Sequence, residues 1–173
     1  MMTPTLEALA RQLVASPRWQ WLRGMAVAVR LPTSREAWCM GRVTDVRDRE
    51  ISRWAAPVEV LTLSPGCWIC FSPGKRIPYV WNRVNIWSET RPPSKGLPVG
   101  SVFPDLSDPV TAAALLPLAR EVSGDPGLHV VPVLVNGSAW WWTVVTGRAE
   151  PMVHRHHESE VEALAAVILR GGE

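Results

Sequence analysis

Leu128-His129-Val130-Val131-Pro132-Val133-Leu134-Val135, then Asn136-Gly137-Ser138, then Ala139-Trp140-Trp141-Trp142-Thr143-Val144-Val145, is the stretch whose reading decides the fold. Two apolar, β-branched and aromatic runs flank an Asn-Gly pair. That pair tolerates the positive φ angles a tight hairpin turn requires. The spacing predicts two antiparallel strands over 128–135 and 139–145. Upstream, Asp108 precedes Pro109 and can N-cap a helix whose first position has no N–H to lose. Val110, Leu115, Leu118 and Val122 give that helix an apolar side, and Gly124 stops it. Pro117 lies inside and removes one helical hydrogen bond, so a kink or a helix in two pieces is expected. Downstream, Ser159-Glu160-Val161-Glu162 has the spacing of a capping box. Val161, Leu164, Ala165, Ile168 and Leu169 then form one face, closed by Gly171.

The N-terminal half is less regular. Leu6, Leu9, Ala10, Leu13 and Val14 recur at helical spacing after a threonine cap at Thr3 or Thr5, and Ser16-Pro17 ends that helix. Short strands are predicted over 25–31, 37–46, 58–63, 67–71 and 79–87. Pro65-Gly66 and Pro73-Gly74 mark turns, and Arg47-Asp48-Arg49-Glu50 reads as an exposed turn. Residues 91–98, with three prolines and a glycine, read as a linker or ordered loop. The expected architecture is α+β: an N-terminal helix, antiparallel strands, then a helix–hairpin–helix tail. At 173 residues a single domain over 1–173 is expected, with a basic, Trp-rich subregion over 1–90 and the tail over 99–173.

Composition narrows the class. The chain is 47% hydrophobic and 20% charged, enough for a core and contrary to global disorder. The N-terminus lacks a basic segment followed by an apolar run, and no stretch has the ~20 apolar residues a spanning helix needs. Neither a signal peptide nor a membrane partner is expected. Three cysteines, Cys39, Cys67 and Cys70, suit a reducing compartment, so a cytoplasmic location is expected. Residues 11–91 carry 13 basic and 6 acidic side chains, and the remainder 5 and 10, so a net +2 conceals +7 against −5.

Catalytic signatures are missing: there is no G-x-S-x-G, P-loop, H-E-x-x-H or dinucleotide fingerprint. His129 sits among valines, and Asp105 and Asp108 suit capping. Cys67-Trp68-Ile69-Cys70 is a C-x-x-C, but strand alternation sets its two thiols on opposite faces. Buried structural thiols are the bland reading, with a metal pair or redox chemistry as alternatives. His154, His156 and His157 cluster before the last helix. His154 and His156 with Cys67 and Cys70 would complete a four-ligand zinc site, against which a solvated loop is the simple account. Arginine and tryptophan interleave at Trp19, Trp21 and Arg23, at Arg53 and Trp54, and at Arg76, Trp81, Arg83 and Trp87. Cations neutralise phosphates and exposed aromatic rings stack on unpaired bases, so these residues are candidates for binding a single-stranded nucleic acid or another partner. Alternatively the tryptophans are core, with arginine stems lying over them.

Pro104-Asp105-Leu106-Ser107-Asp108-Pro109-Val110-Thr111, then Leu115-Leu116 and Leu118-Ala119-Arg120-Glu121, then Gly124-Asp125-Pro126, resembles a pattern of small uncharacterised bacteriophage and prophage proteins. The opening Leu6-Glu7-Ala8-Leu9-Ala10 and the closing Glu160-Val161-Glu162-Ala163-Leu164 agree with it. The resemblance implies a genomic origin and no activity. Three readings follow. The first is a non-enzymatic phage-type accessory protein that binds an unknown protein partner. The second is a single-stranded nucleic-acid binder, and the third a zinc or redox protein. Tryptophan exposure separates the first two: rings beside arginine favour nucleic acid, and rings on an apolar face favour a protein.

Overall fold

The computed structural model describes residues 2–30, 37–49, 58–64, 67–71, 78–82, 97–98, 101–135, 139–147 and 156–170. The chain is α+β and divides into two compact units, Trp21–Asp105 and a second one made of Met1–Gln20 with Leu106–Glu173. Among the described residues no helix is long and apolar enough to cross a membrane.

The discontinuous unit holds α1 (Pro4–Ala15), α2 (Pro109–Ser123), the strands β8 (His129–Val135) and β9 (Ala139–Val145), and α3 (Glu160–Arg170). Thr3 caps α1, its hydroxyl accepting from the Leu6 N–H, and Ser16 ends the helix. Ala10 and Leu13 are buried, and so is Glu7, which pairs with Arg11 one turn on at 2.6 Å. Asp108 caps α2 doubly, accepting from the Thr111 N–H and hydroxyl, both at 2.9 Å. Gly124 closes α2 in the left-handed conformation.

The division of this helix expected at Pro117 does not occur, because α2 runs unbroken over Pro109–Ser123. The bond that Pro117 cannot make would go to the Ala113 carbonyl. Both residues are exposed, so water can serve that carbonyl. In α3 the Glu162 N–H donates to the Ser159 hydroxyl, while the Glu162 carboxylate accepts from the Glu158 N–H. Ala163, Leu164, Ala165, Val167 and Ile168 are all buried. At about 100° per residue they cover some 200° of the helix surface, wider than a single stripe. The reason is position: α3 meets α1, α2, β8 and β9. The closing Gly171 and the turn at 136–138 lie outside the described residues.

The unit Trp21–Asp105 contains β1 (Ala26–Arg30), β2 (Ala37–Arg49), β3 (Val58–Ser64), β4 (Cys67–Phe71), β5 (Pro78–Asn82), β6 (Leu97–Pro98) and β7 (Ser101–Pro104). All pairings are antiparallel, in the order β6-β5-β4-β3-β2-β1-β7. In a flat sheet the outer strands would stand about 29 Å apart. Only Val99 and Gly100 separate β6 from β7, and that link spans at most about 11 Å. The sheet must therefore roll up until its edges meet. β6 and β7 act as the two halves of one bent strand, the first paired to β5 and the second to β1. Such a barrel has six strand positions, an even number, as a wholly antiparallel closure requires.

Register sets Val43, Leu63 and Cys67 in one row and Leu61 beside Ile69 in the next, all on one face and all buried. On β2 the neighbouring Arg42, Thr44 and Arg47 are exposed. Gly41 has φ +139°, and a Cβ there would collide with the Ser64 carbonyl oxygen, so the close approach of β2 to β3 requires glycine. Two expectations are corrected here. Arg47, Asp48 and Arg49 belong to β2, which runs on through the expected turn because β3 pairs with it as far as Arg49↔Val58. Leu97–Pro98 is a strand and not part of a linker, since β5 offers it an edge. The expected strand 79–87 is described only as Pro78–Asn82, and the turns at 65–66 and 73–74 lie outside the described residues.

Candidate protein-binding surface

The β8–β9 hairpin has seven directly opposed pairs, from His129↔Val145 at its base to Val135↔Ala139 at its tip. Alternation divides them between two faces. Val131, Val133, Trp141 and Thr143 lie on the inner one, where Thr143 is buried and the Trp141 ring stands 6.4 Å from that of His156. The outer face carries three pairs, Val130↔Val144, Pro132↔Trp142 and Leu134↔Trp140. All six side chains are apolar. Trp140 is 67% exposed and Leu134 51% exposed. Pro132 is also exposed, and Val130, Trp142 and Val144 are half-buried.

The backbone explains this arrangement. Trp142 turns its N–H and C=O away from β8, exchanging bonds of 2.8 and 2.9 Å with His157. The Pro132↔Trp142 pair is therefore of the non-hydrogen-bonded kind, and so are its neighbours two residues away on each side. Such pairs stand closest, at about 4.5 Å between Cα atoms, which compacts the outer face into one apolar strip. Pro132 loses no ladder bond in this register. Its missing N–H falls instead on the open edge of β8, which it blunts against the addition of another strand.

The residues expected to bind a partner fall elsewhere. Trp21 is only 5% exposed and belongs to the core, while Trp19 is half-buried. Arg23 is exposed and lies 3.9 Å from Asp45, which also pairs with Arg47. Trp81 is placed by its backbone alone, in β5 opposite Trp68. Arg53, Trp54, Arg76, Arg83 and Trp87 lie outside the described residues. Among those described, no exposed tryptophan stands beside an arginine in this region. The unit Trp21–Asp105 carries 12 basic and 7 acidic residues, net +5, and the other unit 6 and 9, net −3.

Cys67 and Cys70 are both buried, three residues apart in a regular strand and hence on opposite faces. Burial pushes the Cys67 thiol up from its ordinary range, with a backbone hydrogen bond opposing in part. Its Sγ donates to the Met40 carbonyl at 3.7 Å. His156 is exposed ahead of α3, in the other unit, and His154 lies outside the described residues. No three His, Cys, Asp or Glu side chains among the described residues are grouped to hold a metal ion.

A groove of about 400 Å³ runs between α1 and α3, over Ala8, Leu9, Ala166 and Leu169, with Glu162 and Arg170 also lining it. The Glu162 carboxylate there is engaged in capping α3. The outer face of the hairpin is the largest feature that the local sequence could have revealed. Both strands are apolar at nearly every position, whereas a two-stranded ribbon packed on a helix can bury only one of its faces. No protein-family model, curated protein or solved structure matches this chain.

Proposed function

We propose that this chain is a non-enzymatic protein-binding module that docks its partner on the outer face of the β8–β9 hairpin. The single observation supporting this reading is the exposure of Trp140 and Leu134, side by side on a face that carries no polar side chain. A large exposed ring on an apolar strip is the arrangement that anchors protein interfaces. The resemblance to phage and prophage proteins supports an accessory role in an infected bacterial cytoplasm. The test is affinity capture from bacterial lysate, with and without phage infection, using the wild-type chain and the Leu134→Lys/Trp140→Lys double variant. A protein retained by the wild type and lost with the variant is expected. Identical capture profiles would sink the reading.

A second reading, single-stranded nucleic-acid binding, is favoured by the net +5 of the unit Trp21–Asp105 and by the exposed Arg23 and Arg47 side chains. Fluorescence anisotropy with a labelled oligonucleotide checks it. Binding at low salt that falls steeply as salt rises supports this reading. No binding at low salt removes it.

A further inference from the structure

We infer that the outer hairpin face is occupied by the same face of a second copy of this chain, packed tip over base about a two-fold axis. The inference rests on the reading of this face as a docking surface and names its partner. Three observations support it.

The first is chemical. Val130, Pro132, Leu134, Trp140, Trp142 and Val144 offer neither charge nor a hydrogen-bonding side chain, apart from the indole N–H groups at the tryptophan rims. A partner surface must match them in apolarity and in shape alone, and a second copy matches the apolarity by construction.

The second is a gradient of size. The tip pair is large, Leu134 with Trp140, and the base pair is small, Val130 with Val144. The middle pair, Pro132 with Trp142, lies halfway between. Take a two-fold axis that runs across the strands through the middle pair, in the plane between two facing hairpins. It sets β8 over β8 and β9 over β9 in opposite directions. Leu134 then lies over Val130 of the second copy, and Trp140 over its Val144. Large meets small at both ends, as interdigitation across packed sheets about 10 Å apart requires. The alternative axis, along the strands, would stack tip on tip and leave a gap at the base. Self-complementarity under one two-fold is the defining property of an isologous interface.

The third is the edge. The proline at 132 denies a donor to any strand that approaches the open side of β8, so association by extending the sheet is disfavoured and the face is left as the contact.

Three pairs of residues on a two-stranded ribbon cover about 300 Å² per copy, or about 600 Å² in total, below the ~1,200 Å² of a stable standard interface. The dimer is accordingly weak and depends on concentration, forming in the range of about 50–500 μM.

Sedimentation velocity of the purified full chain from about 5 to 500 μM tests this. The wild type should move from the monomer mass towards twice that mass. Trp140→Val and Val144→Trp should each shift the transition to at least tenfold higher concentration, because each spoils the match of large to small. The double variant Trp140→Val/Val144→Trp reverses the gradient on β9 and should restore association, with far-ultraviolet circular dichroism confirming that each variant is folded. A wild-type chain that stays monomeric at 500 μM would overturn the inference. So would single variants that associate as the wild type does, or a folded double variant that stays monomeric. If the wild type is monomeric while lysate capture still requires Leu134 and Trp140, the self-pairing fails and the docking face stands. If neither depends on them, both fail.

Discussion

The Asp125 carboxylate accepts a hydrogen bond of 2.8 Å from the backbone N–H of Gly147, 22 positions along the chain. Its other oxygen accepts from the Gly127 N–H at 2.9 Å. One buried side chain thereby joins the turn after α2 to the end of β9 and fixes where the hairpin begins and ends. Arg120 supports the same turn, its Nε donating to the Leu128 carbonyl at 2.8 Å.

Replacing Asp125 with alanine should strand both N–H groups. The expected loss is about 2–3 kcal/mol, the usual result of leaving partly buried donors unsatisfied. Gly147→Ala should disturb the same junction from the other side. Its Cβ would fall 3.1 Å from the Asp125 Oδ1 and 3.3 Å from the Gly127 Cα, a crowding expected to cost about 1–3 kcal/mol. Urea unfolding followed by circular dichroism measures both. The double variant should lose less than the sum, because the two changes share one contact.

Gly41→Ala should destabilise the barrel unit more than any exposed substitution does. The new Cβ meets backbone, the Ser64 carbonyl, which cannot move aside without opening the β2–β3 ladder, and the φ of +139° is strained for any residue with a side chain. A loss of about 3 kcal/mol or more is expected, of the order seen for overpacking combined with backbone strain. Denaturant melts report it. A midpoint unchanged from the wild type would contradict the geometry.

Pro117→Ala should stabilise the protein. The position is exposed and lies inside a continuous helix, so alanine restores the hydrogen bond to the Ala113 carbonyl and leaves no cavity. A gain of about 1–2 kcal/mol is expected. This is less than the ~3 kcal/mol propensity difference, because the helix has already adjusted to the proline. Thermal unfolding should show a higher midpoint.

The cysteines should separate by reactivity. Cys39 is exposed, whereas Cys67 and Cys70 are buried, and burial holds the Cys67 thiol protonated. At neutral pH a thiol reagent should label Cys39 in the native protein and reach the other two only on unfolding, as mass spectrometry of digested protein would show. The sign of the pH effect follows. Folded Cys67 holds its proton more tightly than the unfolded chain does. Its contribution to stability is intact below the ordinary thiol value of 9.0 and declines as pH rises above it towards the higher folded value. Unfolding midpoints measured from pH 7 upward should therefore fall only in the alkaline range, and a Cys67→Ser variant should lack this component of the fall.

Much of the discontinuous unit was legible from local chemistry. Thr3, Asp108, Gly124 and Ser159 act within three or four residues of themselves, so their capping roles show in the spacing. The barrel was less so. The strand β7 was missed because Ser101–Pro104 is four residues with a proline, too short for a periodic signal, and exists because β1 offers an edge 70 positions earlier. The partner-binding candidates chosen for their Arg-Trp interleaving were misjudged at Trp21, whose burial depends on neighbours distant in sequence.

By itself, then, the sequence determined the α+β class, the caps of the three helices, the hairpin register and the opposite faces of Cys67 and Cys70. Each depends on backbone geometry over a few residues. Only the tertiary structure decided that the seven strands close on themselves, that Asp125 joins two distant backbones, and which hairpin face stays open. Alternation separates the apolar side chains of β8 and β9 into two sets. It takes α3, packed against both strands, to cover one set and leave Leu134 and Trp140 in water.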